Sequence, residues 1–203
     1  MTTVLLEIGL EEVPARFVEP CLNDIKSGLL KQLNHERLSL EDTYIEAFGT
    51  YRRFGFLIHN IAVKQDDINN TLEGPPIAIA RSSSGEWLAP AIGFAKKCNV
   101  TVSELTVVTN KKGQQVISAE FHEKGALAIT LLPTIFSQVF STMKLPIAMV
   151  WGNNTGPFIR PVKWICAMLN DQIIQWELFG IPASNITHGH RFLSKSDDSS
   201  SGA

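Results

Sequence analysis

The stretch VLLEIGLEEVPARF, Val4 to Phe17, decides the fold. Val4, Leu5, Leu6 and Ile8 leave little room for a solvent face, so Val4 to Ile8 read as a short buried strand. GLEEVPARF then opens a helix, with Pro14 in its first turn and Glu11 and Glu12 near its positive end. Phe17, Cys21, Ile25, Leu29 and Leu33 follow at steps of four and form one apolar stripe. Pro20 interrupts that stripe, which predicts either a kink or a delayed helix start.

Working outward, Thr43 to Val63 carry β-forming residues around Gly49 and Gly55. They read as two strands, or one bent strand, with Thr50-Tyr51-Arg52-Arg53 at the bend. Pro75-Pro76 and the run Ser82 to Gly85 are loop chemistry and place a division there. A short helix is expected from Pro90 to Cys98, ending on Lys96 and Lys97. Leu105–Val108 and Gln115–Phe121 read as a hairpin with Gly113 in the turn. Ala126 to Phe140 form a second long helix, with Leu127, Leu131, Ile135 and Val139 on one face and Leu132, Phe136 and Phe140 beside them. Pro133 weakens its middle. Gln172 to Phe179 alternate as a strand closed by Gly180 and Pro182.

The expected class is α+β, with mixed or antiparallel sheets covered by helices in two closely packed subdomains. Residues 1–74 make the first, 75–193 the second, and 194–203 a flexible tail or the end of a piece cut from a longer chain. The hydrophobic fraction of 44% over 203 residues belongs to a folded protein. A net charge of -2 predicts no general attraction to nucleic acid, DNA included, so RNA binding would need a local patch. Cys21, Cys98 and Cys166 are scattered and odd in number, which argues for buried thiols in a reducing interior. The start lacks a basic leader followed by an apolar run, and no apolar segment reaches the roughly 20 residues of a bilayer crossing. The expectation is a cytoplasmic chain with no membrane partner.

The sequence carries no phosphate-loop, dinucleotide or HExxH motif. Glu11 and Glu12 are adjacent, a poor facing pair for acid–base work. His188 and His190 lack a third ligand outside Asp197 or Asp198, so neither a metal site nor a catalytic residue is assigned. Cations beside rings are the more informative feature. Arg52 and Arg53 follow Tyr51, Arg160 and Lys163 precede Trp164, and His190 and Arg191 precede Phe192. Arginine suits bidentate phosphate contacts, and a neighbouring ring can stack on an unpaired base. Arg52, Arg53, Arg160, Lys163, His190 and Arg191 are therefore the RNA-binding candidates, with Tyr51, Trp164 and Phe192 as stacking or structural aromatics. With Pro161 in a first helical turn, Arg160 and Lys163 would project about 60° apart beside exposed helix N–H groups. The plainer alternative makes the rings core and pairs the cations with carboxylates.

These landmarks also occur in a recognisable order. LLEIGLEEVPARF (Leu5–Phe17), GPP (Gly74–Pro76) followed by AIGFAKK (Ala91–Lys97), VWG (Val150–Gly152), FIRPVKW (Phe158–Trp164) and THGHRF (Thr187–Phe192) run in sequence along the chain. Together they resemble the N-terminal region of the beta subunit of bacterial heterotetrameric glycyl-tRNA synthetase, from about Leu5 through Leu193. Thr50-Tyr51-Arg52-Arg53 stands where that family has threonine-proline-arginine-arginine, so Tyr51 departs from the pattern while both arginines remain. Val150 stands where the family has a cation before the tryptophan-glycine pair.

The resemblance implies an amino-terminal piece of a longer subunit, itself without cofactor. The alpha subunit would activate glycine with ATP and magnesium, while beta chiefly contributes tRNA recognition. Implied partners are glycine tRNA, the alpha subunit, a second beta subunit and the remainder of beta. In the leading reading this region supports tRNA binding and aminoacylation by the alpha/beta ligase and is not catalytic alone. The alternative is a structural interaction module without intrinsic RNA affinity. Editing hydrolysis, with His190 as its candidate, ranks third.

Overall fold

The computed structural model describes residues 2–82, 85–110, 113–145, 147–153 and 155–189. Two compact units divide the chain, one from Met1–Gln65 together with the chain from Ala126 onward, the other Asp66–Gly125.

The larger unit begins with β1 (Thr3–Leu10), α1 (Ala15–His35), β2 (Ser39–Thr50) and β3 (Arg53–Ile61). In the smaller unit follow β4 (Ile68–Pro76), α2 (Ile77–Ala80), α3 (Ala89–Lys97), β5 (Thr106–Thr109) and β6 (Gln115–Glu123). The chain then re-enters the larger unit through α4 (Ala128–Thr142), β7 (Met149–Trp151), β8 (Thr155–Phe158) and β9 (Val162–Leu169). Three short strands complete it: β10 (Gln172–Ile173), β11 (Glu177–Leu178) and β12 (Ile181–Ser184).

A seven-stranded sheet in the order β11-β12-β9-β1-β3-β2, with β10 also on β9, forms the larger unit's frame. Its pairs are antiparallel except β12 on β9. Strand alternation sends Val4, Leu6, Ile8 and Leu10 to one face, opposite Phe54, Phe56 and Ile58 of β3 and Ile165, Ala167 and Leu169 of β9. That face meets Cys21, Leu22, Ile25, Leu29 and Leu33 of α1 and Ala128, Leu132, Ile135, Phe136, Val139 and Phe140 of α4 in one buried core. Each fully buried Phe or Leu contributes about 1.5–3 kcal/mol relative to exposure. The fold class is α+β, as expected from helices covering mixed or antiparallel sheets.

The smaller unit is a three-stranded antiparallel sheet, β4-β6-β5, whose Ile117 and Ala119 pack with Ala91, Phe94 and Ala95 of α3 and with Cys98 at its C-cap.

Several expectations change. The boundary after residue 74 falls inside β4, because Gly74-Pro75-Pro76 end a paired strand rather than linking two bodies. The apolar stripe of α4 is rotated: Leu127 is half-exposed at the N-cap, and Ala128, Leu132 and Phe136 face the core. Arg160 and Lys163 open no helix. Val162 to Leu169 are β9, since valine, tryptophan and isoleucine favour a strand and the segment fits a slot beside β1. Gln172 to Phe179 is not one strand but β10 and β11, separated by Ile174–Trp176. Glu11 and Glu12 precede α1, whose first turn holds no acid. The range 194–203 lies outside the described residues.

Candidate interaction site at the β1–β3–β9 sheet end

Register places the site. Gly9 lies opposite both Arg53 of β3 and Trp164 of β9, so the ends of three strands converge. Beyond β1, the chain keeps bonding to both sides. Leu10 N–H donates to the Arg52 carbonyl at 2.9 Å, Glu11 N–H to that of Pro161 at 3.0 Å, and Val13 N–H to that of Tyr51 at 2.6 Å. Residues 10–13 are thus threaded between the β2–β3 turn and the approach to β9. This threading brings two cationic segments, more than a hundred residues apart in sequence, to one acidic stretch.

Every candidate cation in the described residues has a partner there. The Arg52 guanidinium spans Glu11 at 3.2 Å and Glu12 at 3.3 Å. Lys163 Nζ lies 3.0 Å from the other Glu11 oxygen. Arg160 Nε donates to the Glu12 carbonyl at 2.8 Å and its Nη1 to the Ile159 carbonyl at 3.1 Å. Arg53 Nη1 is 3.3 Å from Glu7, and its Nη2 donates to the His188 carbonyl.

Glu7 is the hub of the buried half. Only 5% exposed, it accepts from Trp164 Nε1 at 2.8 Å and Thr187 Oγ1 at 2.5 Å besides facing Arg53. Three donors around one carboxylate satisfy a charge that burial alone would penalise. The Trp164 ring lies over Gly9, where an added Cβ would meet its Cδ2 at 2.0 Å. Arg53 sits 5.7 Å above the indole and the His188 ring meets its edge, with centroids 4.9 Å apart. Burial, and then the Glu7 charge, push the Cys166 thiol above its usual range.

The structure therefore gathers Arg52, Arg53, Arg160, Lys163 and Trp164 at one sheet end. Tyr51 joins through its carbonyl while its side chain is half-exposed. His190, Arg191 and Phe192 lie outside the described residues. No group of three metal-ligating side chains stands together among the described residues. Sequence reading missed Glu7 as a hub and Glu11 and Glu12 as cation partners. The available signal was Glu7 itself, the one charge inside an otherwise apolar strand, projecting opposite Leu6 and Ile8.

Chemically, three cations, Arg52, Arg53 and Lys163, meet the carboxylates of Glu7, Glu11 and Glu12, while Arg160 is held by backbone carbonyls. Such a cluster braces the strand ends at which it sits.

Comparison with known proteins agrees with the landmark order. The family model described as glycyl-tRNA synthetase beta subunit matches residues 4–201. The glycine–tRNA ligase beta subunit of Limosilactobacillus fermentum is 35% identical over 93% of this chain and 27% of its own length. That of Moorella thermoacetica is 35% identical over 94% of this chain and 27% of its own. The Listeria monocytogenes subunit is 35% identical over 95% and 27%, respectively. The chain thus spans about 27% of the length of these curated relatives. By this match over nearly all its residues, the chain belongs to the glycyl-tRNA synthetase beta subunit family.

Proposed function

We propose that this chain serves a glycine–tRNA ligase as a structural interaction module of the beta subunit. It holds other parts of the enzyme in place and has little RNA affinity of its own. One observation carries the reading: the guanidinium of Arg52 is occupied by two carboxylates, Arg53 and Lys163 each meet one, and Arg160 donates to the backbone carbonyls of Glu12 and Ile159. A phosphate would have to displace these partners, and the acids left behind would repel it. The net charge of -2 supports the same view.

In this proposal the alpha subunit, a second beta subunit and the rest of beta are the protein partners, and the assembled enzyme charges glycine tRNA in the cytoplasm. Glycine activation with ATP and magnesium belongs to the alpha subunit, and this region supplies no catalytic group. Among the described residues no helix is long and apolar enough to cross a membrane.

The test is a titration of the folded chain with glycine tRNA and a non-cognate tRNA across a salt series. No salt-dependent binding is expected with either. Tight, salt-sensitive binding that Arg160→Glu and Lys163→Glu weaken would replace this reading with a phosphate clamp.

A further inference from the structure

Helix α3 turns Ala91, Phe94 and Ala95 toward the core of the smaller unit. Its outer side carries two neighbouring rows at steps of four. One runs Leu88, Ile92, Lys96 from the N-cap onward, the other Ala89, Gly93, Lys97. Leu88 is 39% and Ile92 41% exposed. Leu88 N–H donates to the Ala80 carbonyl at 2.9 Å, which brings Ile79 of α2, 54% exposed, to the same end. Three large apolar groups thus stand in water around one short helix.

Gly93 has no purpose within the chain. Its φ lies outside the left-handed region, and an added Cβ would meet nothing within 4 Å. Glycine in a helix interior is less stable than alanine. The space it leaves beside Ile92 suits a backbone from outside, because packed helices approach more closely where the side chains at the contact are small.

Lys96 and Lys97 close the two rows at the C-terminal end. Among the described residues neither ammonium has a carboxylate partner. Both complement the negative end of the α3 dipole, and both stay open to an acid from another chain segment.

We propose that the outer face of α3 docks an amphipathic helix of another protein segment, antiparallel to α3, with aspartate or glutamate in its first turn. Its backbone lies along the Ala89–Gly93 row, its apolar side chains cover Leu88 and Ile92, and its acids meet Lys96 and Lys97. The antiparallel direction also sets the partner's positive helix end beside the negative end of α3. A second copy of α3 is disfavoured, because its own first turn holds no acid to meet the lysines. RNA is disfavoured, because phosphates gain nothing from the apolar row. The inference rests on reading the chain as an interaction module and names the chemistry of one partner.

The probe is the helical peptide Ac-SDEELKALLAQLKALAQKA-NH2, titrated into the 203-residue chain and compared with a counterpart whose three N-terminal acids are lysines. The acidic peptide is expected to bind about tenfold more tightly, to weaken with salt, and to slow hydrogen exchange across Ala89–Lys97. Lys96→Glu and Lys97→Glu together, in a chain whose circular dichroism is unchanged, should swap the preference. Gly93→Leu should leave Tm unchanged or raise it while weakening binding at least about tenfold, a separation that a purely structural glycine would not give.

Equal binding of both peptides, undiminished binding by the Gly93→Leu chain, or protection confined to other segments overturns the proposal. So does a concentration-dependent dimer that protects α3, or binding of tRNA that Lys96→Glu and Lys97→Glu weaken. Binding of neither peptide, in a chain that also ignores tRNA, removes the α3 site alone. Binding of tRNA through Arg160 and Lys163 instead overturns the interaction-module reading on which the site rests.

Discussion

The Trp164 indole and Gly9 occupy one space: the ring lies over the glycine, and its Nε1 donates to Glu7 at 2.8 Å. A side chain at position 9 would therefore act on the whole buried half of the site. Gly9→Ala is expected to displace the indole and destabilise the fold by about 1–3 kcal/mol. Adding Trp164→Leu should relieve part of that cost, so that the double variant loses less than the two singles combined. Urea unfolding of the four proteins checks this, and strict additivity would contradict the contact.

Glu7→Ala removes the acceptor for Trp164, Thr187 and Arg53 together. It should cost about 3–5 kcal/mol, because a buried partner set is left unsatisfied. Glu7→Gln keeps an acceptor and should cost less. Both should speed hydrogen exchange at Thr187 and His188, whose contacts with Glu7 and Arg53 tie that segment to the sheet.

Removing exposed pairs should matter little. Lys163 is half-exposed where it meets Glu11, so Lys163→Ala should cost at most about 1 kcal/mol and less in high salt. Arg52→Ala should cost more, since it empties a fork shared by two carboxylates. Thermal unfolding at two ionic strengths distinguishes the cases.

Burial, reinforced by Asp24, pushes the Cys21 thiol from 9.0 up to about 11. A raised thiol pKa means that the unfolded chain ionises first. The associated stability is complete below pH 9.0 and lost as pH rises toward about 11. Denaturation midpoints should fall across that window, with Cys21→Ala flattening part of the decline. Alkylation of Cys21 in the folded chain should also be slow at pH 8.5.

The smaller unit leaves and returns to the larger one at adjacent points. Gln65 N–H donates to the Ala126 carbonyl at 2.9 Å, and Ala126 N–H donates to Gln65 Oε1 at 3.0 Å. Gln65 Nε2 in turn donates to the Glu36 carbonyl at 2.7 Å. Replacing Asp66–Gly125 with a short glycine-serine link should therefore leave the larger unit folded and cooperative. A molten circular-dichroism and calorimetric signature would show instead that the two units share one folding reaction.

Much of the architecture was legible where pattern is local. The run Val4 to Ile8 marked β1, the four-residue stripe from Cys21 to Leu33 marked α1, and the bend at Thr50–Arg53 joined β2 to β3. Pro20 did not end α1, because core packing of Cys21, Leu22 and Ile25 overrides the loss of one helical bond. The helix from Ala89 and the β5–β6 hairpin were legible for the same reason. β9 was not. Pro161 before Val162 fits a helix entrance as well as a strand entrance, and only the slot beside β1 decides between them.

By itself the sequence determined the strand–helix opening, the turn positions, the family, and which cations stand beside rings. It left open whether those cations face a phosphate or a carboxylate. Only the tertiary structure set Glu11 and Glu12 between two cationic segments and Glu7 against a tryptophan far along the chain. The physical reason is range. Helix and strand periodicity follow from neighbours a few residues apart, whereas charge compensation depends on which distant segments the sheet register brings within about 3 Å.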